Sequence, residues 1–244
     1  MKNYLAMLSM DGKDNGILPH NEENNKIKSE DYIEVPNILE LSRPEKWTYT
    51  MRRRMQEVVP GVFLGPYSAA SRSNLQSLLD HGITHIICIR QAIEANFIRP
   101  NFPHKFKYLV LDIADTTTEN IIQHFKKVKV FIDESLSLNG RVLVHGNAGI
   151  SRSAALVLAY IMETYELSQG QAYMLVQQRR FCISPNEGFI IQLREYEPIY
   201  KAEKMLKNNQ QNLESQCSKR TIHQIDLDNQ QDKIEDVTNR LILI

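Results

Sequence analysis

Between Arg141 and Tyr165 the chain passes from a short apolar run, Val142-Leu143-Val144, through His145-Gly146-Asn147-Ala148-Gly149-Ile150-Ser151-Arg152-Ser153 into nine uninterrupted apolar residues, Ala154 to Met162. A strand that is apolar at consecutive positions has both faces covered, as in parallel sheets. A helix that is apolar on every side lies inside a protein, and nine residues fall well short of the roughly 20 that cross a bilayer. Buried strand, glycine-containing turn and buried helix in succession place this segment at the heart of an α/β domain.

The same alternation fills the middle of the chain. Glu57 to Leu64 and Ile83 to Ile89 read as strands around a helical stretch from Ala69 to His81 that stops at Gly82, and Phe106 to Leu111 reads as another short strand. Ile121, Phe125, Val128 and Ile132 recur at helical spacing within Asn120 to Leu136, and Asn139-Gly140 closes that helix. Leu167 to Arg180 and Asn186 to Glu197 read as two more helices, the last ended or kinked by Pro198. The expected fold is α/β, a central mixed or parallel sheet flanked by helices, over residues 46–204. Residues 1–45, rich in Asn and acidic groups, are expected to be disordered, and residues 205–244 form a polar tail.

Charge and cysteine content narrow the function classes. The 29 basic and 29 acidic groups balance, with a mildly basic core of 17 against 14 over residues 51–203, so broad nucleic-acid binding is not expected. Cys88, Cys182 and Cys217 are three, widely spaced and without CxxC or Cys/His clustering, which predicts reduced thiols, no metal site and no cofactor. The N-terminus lacks the build of a secretory signal, so residence inside the cell is expected, with no membrane span. Arg52-Arg53-Arg54 reads as a docking or nuclear-import patch or, more plainly, as a solvated face. Lys126, Lys127 and Lys129 are expected to face solvent, and Trp47 and Tyr49 to pack on the domain edge. Ile234, Val237 and Leu241 permit a short amphipathic helix in the tail.

The turn from Gly146 to Arg152 carries the chemistry. Two glycines between a strand and a helix let successive backbone N–H groups point into one concavity at the helix N-terminus, a geometry that binds anions. Arg152 in the first helical turn offers a planar fork suited to a phosphate. Gly149 allows close approach of the backbone, and Ser153 is placed to cap the helix or bond a loop group. A nucleotide-binding GxxxxGK[ST] pattern is absent. The plainer alternative is a glycine-containing connector with an exposed arginine.

His145, the five residues after Gly146, and then Arg152-Ser153 resemble the His-Cys-x5-Arg-Ser/Thr signature of the protein tyrosine phosphatase superfamily. Ala148-Gly149-Ile150-Ser151-Arg152-Ser153 is similar to the dual-specificity branch, as are Gly61-Val-Phe-Leu-Gly65, Gly82-Ile-Thr-His-Ile86 and Ser184-Pro-Asn-Glu-Gly-Phe189. The overall pattern, with Lys46 to Arg54 and His85 to Arg90, resembles the serine/threonine/tyrosine-interacting pseudophosphatases of that branch. The resemblance implies a tyrosine phosphatase-like fold over roughly residues 47–203. It also implies that Gly146 stands where the family has its nucleophilic cysteine, and glycine has no group able to attack phosphorus. The expectation is therefore an inactive phosphatase whose residues Gly146, Asn147, Ala148, Gly149, Ile150, Ser151 and Arg152 still bind phosphate.

Further roles follow from the same resemblance. Asp115, 31 residues before Gly146, matches the general acid, with a turn-forming aspartate as the alternative. His145 and Ser153 match loop-supporting residues. Phosphorylated Tyr, Thr or Ser proteins are the implied partners, MAP kinases among them, with a ubiquitin-ligase F-box receptor as a further partner and residence in cytoplasm and nucleus. The rival readings are an interaction scaffold with a vestigial pocket and an active phosphatase with another nucleophile.

Overall fold

The computed structural model describes residues 46–207 and residue 209. The N-terminal extension, Cys217 and the amphipathic spacing of the tail lie outside the described residues. The elements run β1 Gln56–Val59, β2 Val62–Pro66, α1 Leu75–Asp80, β3 Ile83–Arg90, β4 Lys107–Asp112, α2 Ile122–Ser137, β5 Arg141–Gly146, α3 Arg152–Tyr165 and α4 Gln169–Arg179. A final helix, α5, spans 187–207.

The five strands form one mixed sheet in the order β1-β2-β5-β3-β4, antiparallel between β1 and β2 and parallel elsewhere. Strand β5 sits at its centre, with Leu64 and Ile87 beside Val144. Alternation along the strands divides the core between the two faces. Leu64, Ile87, Ile89, Val142 and Val144 pack with the apolar sides of α2, α3, α4 and α5, while Phe63, Ile86 and Leu143 pack with Leu78 of α1, Ala69, Ala70 and Phe106. Every residue from Ala154 to Met162 is buried, as expected of a helix apolar on all sides.

Several expectations need correction. Glu57 to Leu64 is a hairpin rather than one strand, because Pro60 has no N–H to donate and Gly61 adopts a positive φ of 78° that turns the chain. The stretch from Ala69 to His81 is helical only over α1 and is preceded by 3-10 turns at Tyr67–Ala70 and Arg72–Asn74. Ser68, Ser71 and Ser73 cluster there, and Ser71 bonds Ser73 and Asn74 side chains. Helix α5 continues past Pro198, since buried Tyr196 and Tyr200 anchor it to the core on both sides of the proline. Trp47 is half-buried, but Tyr49 is exposed rather than packed. Lys126 and Lys127 are exposed, and Lys129 is half-buried with an ion pair to Asp133.

His145, next to last in β5, is wholly buried beside the Tyr67 ring, and its Nδ1 lies 3.2 Å from the Gly146 carbonyl oxygen. Burial outweighs that hydrogen bond and lowers its pKa to about 4 from an ordinary 6.5. The unfolded chain therefore binds one more proton between about pH 6.5 and 4, so stability falls as pH falls through that window, by on the order of 3 kcal/mol in total. Denaturant unfolding at a series of pH values checks this against His145→Gln, which is expected to show a shallower decline. Identical slopes would contradict it.

Candidate functional site

The turn between β5 and α3 is clamped from three sides. Tyr67 N–H donates to the Asn147 carbonyl at 3.0 Å, and Ser184 N–H to the Ile150 carbonyl at 2.9 Å. Gly149 has φ +69°, and a Cβ there would overlap the Gly65 carbonyl of β2, so only glycine fits. The third clamp is Arg180, at the end of α4 and wholly buried. Its Nε donates to the Gly149 carbonyl at 2.9 Å and its Nη2 to the Ala148 carbonyl at 3.0 Å. The remaining protons reach the Arg54 carbonyl at 2.9 Å, the Arg52 carbonyl at 3.1 Å and the Gln56 side-chain oxygen. All five guanidinium donors are thus used, two of them on the turn.

Arg152 is 7% exposed at the start of α3. Its Nη1 donates to Glu94 Oε2 at 2.7 Å and to the Ile113 carbonyl at 3.1 Å, and its Nη2 to Glu94 Oε1 at 3.1 Å. Burial alone would raise the Glu94 carboxyl, but the bonds from Arg152, the Gln91 N–H and the Asn147 side chain outweigh it and hold the pKa down. What remains of the fork is its Nε–H and one Nη2 proton, the adjacent pair that grips an oxyanion through two parallel bonds.

Asp115 lies across the same turn. Its Oδ1 accepts from Ser151 Oγ at 2.7 Å and from Asn186 Nδ2 at 2.9 Å, and its Oδ2 is 3.7 Å from Arg152 Nε. Ser151 Oγ accepts in turn from the Asn186 N–H at 3.2 Å. The segment carrying Asp115 rests on α5 at Gly188, where a Cβ would overlap the Thr117 carbonyl.

Of the residues expected from the sequence, His145, Gly146 to Arg152 and Asp115 converge here. Ser153 departs from expectation. It neither caps α3 nor bonds the turn, because its hydroxyl faces the space above Gly146 and has no hydrogen-bond partner among the described residues. Glu94, Arg180 and Asn186 were not singled out. Asn186 lies within the family-like stretch Ser184 to Phe189, whereas the partners of Glu94 and Arg180 are distant in sequence. Cys88, on β3 opposite His145, is buried, and burial pushes its thiol up to about 12, so it holds no thiolate. Among the described residues no group of His, Cys, Asp or Glu is arranged to hold a metal, and no helix is long and apolar enough to cross a membrane.

Removing the clamp has a measurable consequence. Arg180→Ala strands one buried carbonyl of the turn, that of Gly149, and one half-buried carbonyl, that of Ala148, and is expected to cost about 2 kcal/mol of stability. It is also expected to speed hydrogen exchange of the amides at 147–151 relative to those of β3. Unchanged exchange in the turn would contradict this role.

Comparison with known proteins agrees with this fold. The sequence profile "Dual specificity phosphatase, catalytic domain" matches residues 62–199. The human protein named serine/threonine/tyrosine-interacting protein is 62% identical over 171 residues, covering 70% of this chain and 77% of its own length. The mouse protein of the same name is 66% identical over the same span. MAP kinase phosphatase with leucine-rich repeats protein 3 of Dictyostelium discoideum is 36% identical over 196 residues, covering 80% of this chain and 22% of that protein. The crystal structure of the human tyrosine phosphatase-like serine/threonine/tyrosine-interacting protein superposes with a TM-score of 0.60 at 66% identity, covering 61% of this chain and 98% of that one. This chain belongs to the dual-specificity phosphatase family.

Proposed function

We propose that this chain is a pseudophosphatase that binds phosphorylated Tyr, Thr or Ser side chains of partner proteins without hydrolysing them, and regulates signalling by anchoring, shielding or competing. The observation that carries this reading is a braced turn at the N-terminus of α3 with a glycine, Gly146, at the position that the family pattern gives to the nucleophilic cysteine. The turn keeps its N–H groups at the start of α3, and Arg152 keeps one donor pair beyond those that Glu94 and the Ile113 carbonyl take up. No cysteine stands in the turn, and the Cys88 thiol is held protonated. Relatives named as interacting proteins, a name for binding rather than turnover, support the same reading.

Electrostatics favours binding without a thiolate. Like charges about 4 Å apart repel by about 1 kcal/mol in water and about 4 kcal/mol at an effective dielectric near 20. Glycine at 146 removes that repulsion from a phosphate dianion, against roughly 0.5–1 kcal/mol for extra backbone freedom. The clamps from Arg180, Tyr67 and Ser184 limit that freedom further. On family grounds the reading extends to MAP kinases as partners, to an F-box receptor of a ubiquitin ligase, and to residence in cytoplasm and nucleus.

A second reading, an interaction scaffold with a vestigial pocket, draws on one observation: Glu94 and Asp115 both neutralise Arg152 from within the chain. Calorimetry with a phosphotyrosine or phosphothreonine peptide separates the two. The pocket reading expects binding that weakens at least about tenfold in Arg152→Ala. Absent binding, or binding indifferent to that substitution, favours the scaffold.

Asp115 also leaves an activity to test. A Cβ at position 146 meets Ser153 Oγ at 3.5 Å, the Ile89 carbonyl oxygen at 3.7 Å and Ser153 Cβ at 3.9 Å, all ordinary contacts, so a side chain fits. Gly146→Cys is expected to fold normally and to hydrolyse p-nitrophenyl phosphate measurably, with Asp115 donating the proton. A folded but inert variant would show that more than the nucleophile has been lost.

A further inference from the structure

Ser153 is 1% exposed, and its hydroxyl has no hydrogen-bond partner among the described residues. A buried hydroxyl left unpaired is costly, and folded proteins keep few of them. This one lies on the first turn of α3, at the floor of the anion-binding turn. It borders the space that a side chain at position 146 would fill, since a Cβ there would stand 3.5 Å from its oxygen. Glycine leaves room for about one heavy atom directly beside an unused donor.

We infer that Ser153 is a direct ligand of the bound oxyanion. One non-bridging oxygen of a phosphoryl group settles in the space above Gly146 and accepts the Ser153 O–H, while the turn N–H groups and the Nε/Nη2 edge of Arg152, which faces Asp115 at 3.7 Å, hold the other oxygens. Any side chain at position 146 blocks that seat. The inference rests on the pocket reading above and deepens it, because it turns the missing side chain into part of the site. It also accounts for Ser153 neither capping the helix nor bonding the turn.

The test is calorimetry of the full-length protein with phenyl phosphate and with inorganic phosphate. Both carry the non-bridging oxygens that the seat reads. Ser153→Ala is expected to weaken both about tenfold, the value of one hydrogen bond to a charged acceptor. Its thermal midpoint is expected to be unchanged or raised, because an unpartnered hydroxyl contributes no stability. Ser153→Thr restores binding if the hydroxyl is the ligand. Gly146→Ala, whose added methyl fits, is expected to weaken binding by a similar factor, and in the double variant the loss of Ser153 then costs little further. Ser153→Ala binding within about twofold of the unmodified protein, or weakening only one ligand, overturns the inference and leaves the pocket reading standing. Absence of binding by the unmodified protein overturns both.

Discussion

A wholly buried guanidinium, that of Arg180, joins three parts of the chain that sequence separates widely: the turn at Gly149, the end of α4 and the segment before β1. Its five donors meet backbone and amide oxygens rather than a carboxylate, so its charge is spread over fixed dipoles. Backbone carbonyls of the turn are thereby turned inward to the arginine. In a tight turn this leaves the N–H groups on the other side, at the N-terminus of α3, where the helix dipole also favours negative charge. The apolar burial of α3 holds the helix in place, and Arg180 holds the turn against it.

Arg152 shows the same division of labour. One edge of its fork is tied to Glu94 and the Ile113 carbonyl, which fixes the plane of the guanidinium before any ligand arrives. Such preorganisation reduces the ordering cost of binding, and the partial neutralisation by Glu94 and Asp115 reduces the attraction. On the proposed reading that balance leaves anion recognition to geometry as much as to net charge. On the same reading Gly146 belongs to this balance, since it carries no thiolate to repel a phosphate and leaves space beside the Ser153 hydroxyl.

The sequence made some of this legible and not the rest, for physical reasons. The β5, turn and α3 succession was readable because a strand buried on both faces and a helix buried all round leave unambiguous apolar runs. The hairpin at Pro60-Gly61 was missed because apolar residues continue on either side of a two-residue turn, so periodicity alone does not mark the reversal. Ser68, Ser71 and Ser73 hid the 3-10 turns before α1, and tertiary contacts of Tyr196 and Tyr200 carried α5 past Pro198. Residues from His145 to Arg152 were found because they are contiguous. Glu94 and Arg180 were not, because each acts on the turn from a distant element, and Arg180 follows the polar run Gln177-Gln178-Arg179 at the end of its helix. Ser153 stands out in the sequence beside Arg152, but only the geometry shows that its hydroxyl is unpaired.

The central claim, a site that holds a phosphoryl group without cleaving it, meets its most direct test in phosphorus NMR. A phosphotyrosine peptide is mixed with a stoichiometric amount of the full-length protein and followed over hours. The account predicts a shifted or broadened phosphoryl resonance and no growth of an inorganic phosphate signal. A growing inorganic phosphate signal would make the chain an enzyme, and an unperturbed resonance would leave its pocket without a ligand.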